Sequence, residues 1–336
     1  MTNAEPTSLT SEDQRLIDGV LQGQIRPLAK TITLIESSRA DHKLRAQAMV
    51  EALLPHTGKA MRVGISGVPG VGKSTFIEAL GMFLVQRGLK VAVLAVDPSS
   101  SVTGGSILGD KTRMELLSQQ RNAFIRPSPS AGSLGGVAEK TREAMLACEA
   151  AGFDVIIVET VGVGQSETAV ANMTDIFVLL QLPNAGDDLQ GIKKGIMEIA
   201  DLVVINKVDV NPQAAAVARG QIRSALAMVR HSSPNWMPPV LMLSALQHQG
   251  LEEFWETVEK FRTTLSASGE FAAKRRQQAK AWMWELIDAG LRERFRQHPA
   301  VLQVLQATEQ AVASGQASAT AAAYRLLSTA DLKNGL

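Results

Sequence analysis

An α/β fold built on a mostly parallel central sheet is the class this sequence predicts, on three observations. Short aliphatic runs recur between residues 61 and 265: RVGIS (62–66), VAVLAV (91–96), DVIIVET (154–160), DIFVLLQL (175–182), DLVVIN (201–206) and VLMLSA (240–245). They are apolar on both faces, as strands covered by helices on both sides require. Helix-like stretches alternate with them, the pattern of βαβ units with right-handed crossovers. A glycine-rich loop directly follows the first run and precedes a helical stretch, FIEALGMFLVQRG.

Residues 1–60 read as a helical extension, with Leu16, Val20, Leu21, Leu28, Ile32 and Ile35 three or four apart. Residues 266–336 read as a helical arm. Ser266 to Gly269 is a linker, a long helix runs from about Glu270 to His298, and Pro299 stops it. Two Ala- and Gln-rich helical stretches follow, near 300–313 and 317–330. On the long helix Ala279, Trp282, Met283, Leu286, Ile287, Leu291 and Phe295 form one stripe. Trp284 falls outside it, and an exposed ring there predicts a dimer contact.

Composition removes several function classes. Lys+Arg number 34 against 33 Asp+Glu, a net charge of +1, which argues against bulk electrostatic binding of nucleic acid. The single cysteine, Cys148, forbids an internal disulfide and any cysteine-rich metal site, and reads as a core residue. Five histidines (42, 56, 231, 248, 298) have no ligand spacing. No run approaches the roughly 18–20 apolar residues of a membrane span, and the acidic start lacks signal-peptide character. The expectation is a cytoplasmic protein with no membrane or nucleic-acid partner. Lys274-Arg275-Arg276 reads as a solvated charge run.

The loop is Gly67-Val-Pro-Gly70-Val71-Gly72-Lys73-Ser74-Thr75, which fits G-x-x-x-x-G-K-[ST] in its strand–loop–helix setting. Gly70 and Gly72 let the backbone curl so that N–H groups face phosphate oxygens, and the following helix adds its positive end. Lys73 reaches the β- and γ-phosphates and Ser74 ligates Mg²⁺. The fold class thus becomes that of P-loop nucleotide hydrolases.

Asn206-Lys207-Val208-Asp209 selects the base. A carboxylate at Asp209 accepts from guanine N1–H and the exocyclic amine, a donor pair adenine lacks. Lys207 lies along the base and Asn206 ties the loop. Ser244, Ala245 and Leu246 follow the next strand, where a backbone N–H meets the guanine carbonyl. Candidate metal acids are Asp97 and Glu159, each ending a strand, and Asp110 in a glycine-rich loop. Glu159-x-x-Gly162 stands where D-x-x-G is more familiar, with Gly162 offering its N–H to the γ-phosphate. No Gln follows Gly162 directly and Gln165 is displaced, which predicts slow intrinsic turnover and stimulation by a partner.

Together GVPGVGKST, AVDPSSSVTGGSILGDKTRM, IVETVGVGQSE, GDDLQGIKKGIMEIAD and NKVD resemble the MeaB/ArgK-type GTPases. These are chaperones of adenosylcobalamin-dependent methylmalonyl-CoA mutase, related to the human methylmalonic aciduria type A protein. The resemblance covers nearly the whole chain. It implies GTP/GDP binding with Mg²⁺, hydrolysis stimulated by the mutase, gated cofactor delivery, protection or reactivation of the mutase, and a homodimer through the C-terminal arm. It makes Asp97, Asp110 and Glu159 metal-site acids. It also makes residues 181–193 a switch loop, with Asp187, Asp188 and the cation Lys193. Residue chemistry alone reads 183–195 as a loop with solvated charges. Two alternatives stay open: a P-loop kinase linked to amino-acid transport, and a metal-insertion GTPase.

Overall fold

The computed structural model describes residues 9–97, 114–129, 134–160, 165–183, 194–229 and 233–330. Asp110, Gly162, Asp187, Asp188 and Lys193 lie outside them, as do the side chains of Asp97 and Gln165.

Among the described residues the strands are β1 (Met61–Gly67), β2 (Val91–Asp97), β3 (Ala123–Pro129), β4 (Val155–Thr160), β5 (Ile176–Gln181), β6 (Leu202–Ile205) and β7 (Val240–Met242). They form one sheet in the order β3-β2-β4-β1-β5-β6-β7, and every pairing is parallel. Six strands match the six aliphatic runs. β3 (AFIRPSP) is an addition: its prolines and Arg126 hide it from a hydrophobicity pattern. Its position at the sheet edge explains the prolines, since an edge strand needs fewer N–H donors.

The helices are α1 (Ser11–Leu21), α2 (Ile25–Glu36), α3 (Ala40–Leu53), α4 (Lys73–Gln86), α5 (Glu115–Ser118), α6 (Leu134–Ala150), α7 (Gln165–Ala171), α8 (Lys194–Ile199), α9 (Pro212–Ala227), α10 (Leu251–Ala267), α11 (Glu270–Gln297), α12 (Pro299–Ala313) and α13 (Ala319–Thr329). None is long and apolar enough to cross a membrane. Alternate strand residues feed two cores. Val63, Ile65, Val93, Ile157 and Val178 pack with α4 and α10, while Leu94, Ile156, Val158, Phe177 and Leu179 pack with α6, α9 and the N-terminal helices. This double burial makes the strands apolar throughout.

Register is supported by acids that lead the strands. Asp154, Asp175 and Asp201 each stand immediately before β4, β5 and β6. Each accepts a backbone N–H from the neighbouring strand region: Asp154 from Lys90 at 2.8 Å, Asp175 from Arg62 at 2.8 Å, Asp201 from Phe177 at 2.9 Å. Backbone donors at the start of a parallel strand otherwise lack partners, so these carboxylates complete the ladder.

The chain divides into two compact units, the first ending at Arg275 and the second starting at Arg276. The helices preceding β1 belong to the first unit. α1 opens with a capping box in which Thr10 and Asp13 bond reciprocally, and Asp13 also pairs with Arg45 of α3 at 2.6 Å. Lys274 and Arg275 are not a solvated run. Arg275 pairs with the buried Asp175 at 2.6 Å, and Lys274 pairs with Asp201 at 3.0 Å. The strand-leading acids lie far away in sequence, so no local pattern announces these pairs. Arg275 also donates to the carbonyls of Gly58 and Ala60.

In the second unit Pro299 takes the first position of α12, after α11 ends at Gln297. Residues of α11 stay exposed along the stripe, including Met283, Leu286, Ile287 and Leu291, and Trp284 off it is 60% exposed.

Candidate functional site

The site is built at the carboxyl edge of the sheet, where ligands of open α/β folds sit. β1 ends at Gly67 and α4 begins at Lys73, so the intervening loop leads into a 14-residue helix. A Cβ on Gly67 would stand 2.6 Å from the Leu180 carbonyl of β5, so the loop leaves the sheet only through glycine. Gly72 caps α4 with a φ of 91°, a left-handed conformation that a side chain would strain. A Cβ there would also meet Asn206 Nδ2 at 2.9 Å. The helix's first-turn N–H groups give the loop a positive end.

Lys73 folds back over its own loop, donating to the Gly67 carbonyl at 2.8 Å. Burial pushes its ammonium below the usual lysine value, opposed by the charges of Glu159 and Glu167. Ser74 Oγ donates to Glu159 Oε1 at 3.4 Å. These two residues come from elements adjacent in space, since β1 and β4 pair with Ile65 opposite Glu159. A serine hydroxyl and a carboxylate are hard oxygen donors, the set Mg²⁺ takes. Asp97 closes β2 at the same edge. Thr75 is exposed and Val71 is buried, contributing its carbonyl rather than its side chain.

The second half of the site is joined to the first. Asn206 follows β6 and is buried; its Nδ2 donates to the Val71 carbonyl at 2.9 Å, while its Oδ1 accepts from Ala245 N–H at 3.1 Å. Lys207, with a φ of 63°, donates through Nζ to the Gly70 carbonyl at 2.8 Å. The Asp209 Oδ1 oxygen is buried with no partner among the described residues, an acceptor awaiting a donor. Ser244 and Ala245 are buried and Leu246 is 73% exposed. Ser244 Oγ accepts from Gln247 N–H at 3.2 Å and so fixes the turn. The structure thus gathers phosphate loop, Glu159, Asn206–Asp209 and Ser244–Leu246 at one edge.

A model of the family described as Methylmalonyl Co-A mutase-associated GTPase MeaB matches residues 28–300. The chain belongs to the MeaB family. It is 54% identical over 263 residues to GTPase ArgK of Escherichia coli, covering 78% of this chain and 80% of that protein. It is 47% identical over 334 residues to the mitochondrial methylmalonic aciduria type A homolog of Mus musculus, covering 95% and 80%. Among solved structures it superimposes on a LAO/AO transport system kinase with a TM-score of 0.78 at 40% identity, over 96% of this chain and 99% of that one. Like its MeaB relatives, the chain is a GTPase with a P-loop α/β fold.

From sequence the loop 160–167 has a role in sensing hydrolysis, but no individual role falls to three polar residues that this GTPase buries beside the phosphate loop. Thr160 Oγ1 donates to Ser66 Oγ at 2.9 Å, and Ser66 Oγ donates to Glu167 Oε1 at 2.9 Å. The available signal was a hydroxyl at the end of an otherwise apolar strand, Ser66 in RVGIS, together with the acid closing IVETVGVGQSE.

Proposed function

We propose that the chain is a Mg²⁺-dependent GTP switch that chaperones an adenosylcobalamin-dependent acyl-CoA mutase, gating its cofactor loading and protecting or reactivating it. The observation that carries this reading is the match over residues 28–300 to a family described as mutase-associated. The mouse relative named for methylmalonic aciduria supports the same client class.

In this reading the chain's own groups do the following. Backbone donors of the 67–75 loop and the amino end of α4 hold the phosphates. Lys73 leaves the Gly67 carbonyl for the β- and γ-phosphates, placing its charge where negative charge grows during transfer. Asp209 binds the guanine edge with its unpartnered oxygen, Lys207 flanks the ring, and Asn206 fixes that loop to the phosphate loop. Ser74 and Glu159 would hold Mg²⁺, with Asp97 and Asp110 as further acids; the ion supplies charge neutralisation of the phosphates when bound. Water attacks the γ-phosphorus, the bond to the β–γ bridging oxygen breaks, and GDP and phosphate leave. The absence of a Gln directly after Gly162 fits slow turnover without a partner.

The exposed apolar stripe of α11, lined by Trp282, Met283, Leu286, Ile287 and Leu291, supports a homodimer through the C-terminal arm. The loop with Asp187, Asp188 and Lys193 is proposed to report nucleotide state to the client, together with Gly162 and Gln165. Segments 1–60, 61–265 and 266–336 then serve as extension, GTPase core and dimer arm, in a cytoplasmic protein.

A GTPase assay with and without purified methylmalonyl-CoA mutase or a related acyl-CoA mutase tests this. Stimulation of hydrolysis is expected, and an unchanged rate with every such mutase would sink the chaperone reading. A second reading follows the name of the LAO/AO kinase neighbour: the γ-phosphoryl passes to an acceptor instead of water. Label from γ-labelled GTP appearing on protein or small molecule, rather than as free phosphate, would favour it.

A further inference from the structure

Thr160, Ser66 and Glu167 are buried polar residues at the point where the two site-bearing strands end. Their hydrogen bonds run in one direction, from the Thr160 hydroxyl to the Ser66 hydroxyl and from Ser66 to the Glu167 carboxylate, each at 2.9 Å. Each member sits beside a functional segment. Ser66 immediately precedes Gly67, where the phosphate loop leaves β1. Thr160 immediately follows Glu159 and closes β4. Glu167 lies in α7, the helix that resumes the chain after residues 161–164. Three separate segments are therefore joined by two bonds.

The arrangement is costly for mere packing. Glu167 is 4% exposed, and among the described residues its buried Oε2 has no partner. A desolvated carboxylate with one unpartnered oxygen is less favourable than an apolar residue of the same size, so its presence calls for a functional account. A carboxylate that closes a directional chain of hydroxyls supplies one: it fixes both rotors and so the relative placement of the strand ends.

We propose that Glu167 is a positioning residue for GTP hydrolysis, clamping the ends of β1 and β4 to α7 through Ser66 and Thr160. The clamp holds the phosphate loop, with Lys73 and Ser74, at a fixed offset from Glu159. Its hydrogen bonds run among Thr160, Ser66 and Glu167 themselves, none of them a residue assigned to phosphate, base or Mg²⁺, so the clamp acts on the alignment for transfer rather than on nucleotide capture. This inference rests on GTP hydrolysis and not on the identity of the client, so its test is run without mutase.

Purified full-length Glu167→Gln, Ser66→Ala and Thr160→Val are compared with the parent in single-turnover GTP hydrolysis, GDP titration and thermal melting. Each variant is expected to lower the hydrolysis rate about tenfold, with GDP affinity changed less than about threefold. Thr160→Ser, which keeps the hydroxyl, is expected to restore the parent rate. Should Glu167→Gln fail to fold, the hydroxyl variants carry the test alone. Parent-like hydrolysis in Ser66→Ala and Thr160→Val overturns the clamp, even if Glu167→Gln is slow, because the charge alone would then explain it. Loss of GDP binding in step with rate, or a Thr160→Ser as slow as Thr160→Val, overturns it equally.

Discussion

Asn206 Nδ2 donates to the Val71 carbonyl at 2.9 Å, a bond between residues 135 positions apart that joins the base-reading loop to the phosphate loop. The same amide accepts from Ala245 N–H, so one buried side chain holds three loops together. Asn206→Ala leaves the Ala245 N–H and the Val71 carbonyl without these partners. The expected loss is about 1–3 kcal/mol of stability, with weaker binding of GDP and GTP alike. Thermal melts and titration with a fluorescent guanine nucleotide check both parts, and loss of GTP binding alone would contradict the shared tether.

Base choice is placed on a different atom. Asp209 Oδ1 is buried and unpartnered among the described residues, while the amide of Asn206 is committed to Val71 and Ala245. Asp209→Ala is therefore expected to erase the preference for GTP over ATP, by about tenfold or more in relative affinity, while changing the melting midpoint little. Competition titrations with ATP and GTP read the ratio directly; an unchanged preference would move base recognition elsewhere.

Among the described residues Lys73 bonds to carbonyls of its own loop, those of Gly67 and Val68. Its desolvation is a cost in the free protein that phosphate contact relieves. Lys73→Ala is expected to abolish measurable hydrolysis with a melting midpoint at or slightly above the parent's. A phosphate-release assay and a thermal melt of the same sample check this, and a sharply lowered midpoint would show that Lys73 is structural.

Legibility in the sequence followed the distance over which each feature acts. The phosphate loop is nine consecutive residues and the base loop four, and both announce themselves as motifs. Six strands are legible because burial on both faces removes polar residues from them. β3 escapes because an edge strand tolerates Arg126, Pro127 and Pro129. The Thr160–Ser66–Glu167 chain joins residues 94 and 101 positions apart, and no local spacing encodes that. Lys274 and Arg275 looked solvated for the same reason: the acids they meet lead β6 and β5.

The Asp175–Arg275 pair yields a stability prediction. Asp175 is 2% exposed and also accepts Arg62 N–H, so Asp175→Ala removes a strand cap and leaves the partly buried Arg275 guanidinium without its closest carboxylate, with Glu149 remaining at 4.0 Å. Breaking a buried pair from one side costs about 3–5 kcal/mol. Chemical denaturation should register that loss. A change under about 1 kcal/mol would mean that Glu149 and the Gly58 and Ala60 carbonyls suffice for Arg275.

The last prediction concerns pH. Glu143 on α6 is pushed up to about 7, chiefly by burial and secondly by the charge of Glu139, with Lys43 and Lys140 acting the other way. In the unfolded chain a glutamate ionises near its ordinary 4.5. Between those two values the folded protein keeps a proton that the unfolded chain has released. Stability from this group therefore falls as pH rises from about 4.5 to about 7, and the deficit is constant above that. Glu143→Gln imitates the protonated form at every pH. The variant is expected to match the parent near pH 4.5 and to exceed it at pH 8 by on the order of 1–3 kcal/mol. Denaturant unfolding of parent and variant at both pH values gives the comparison, with other titrating groups cancelling in the difference. A gap that is the same at both pH values would show that Glu143 ionises at its ordinary value in the folded chain.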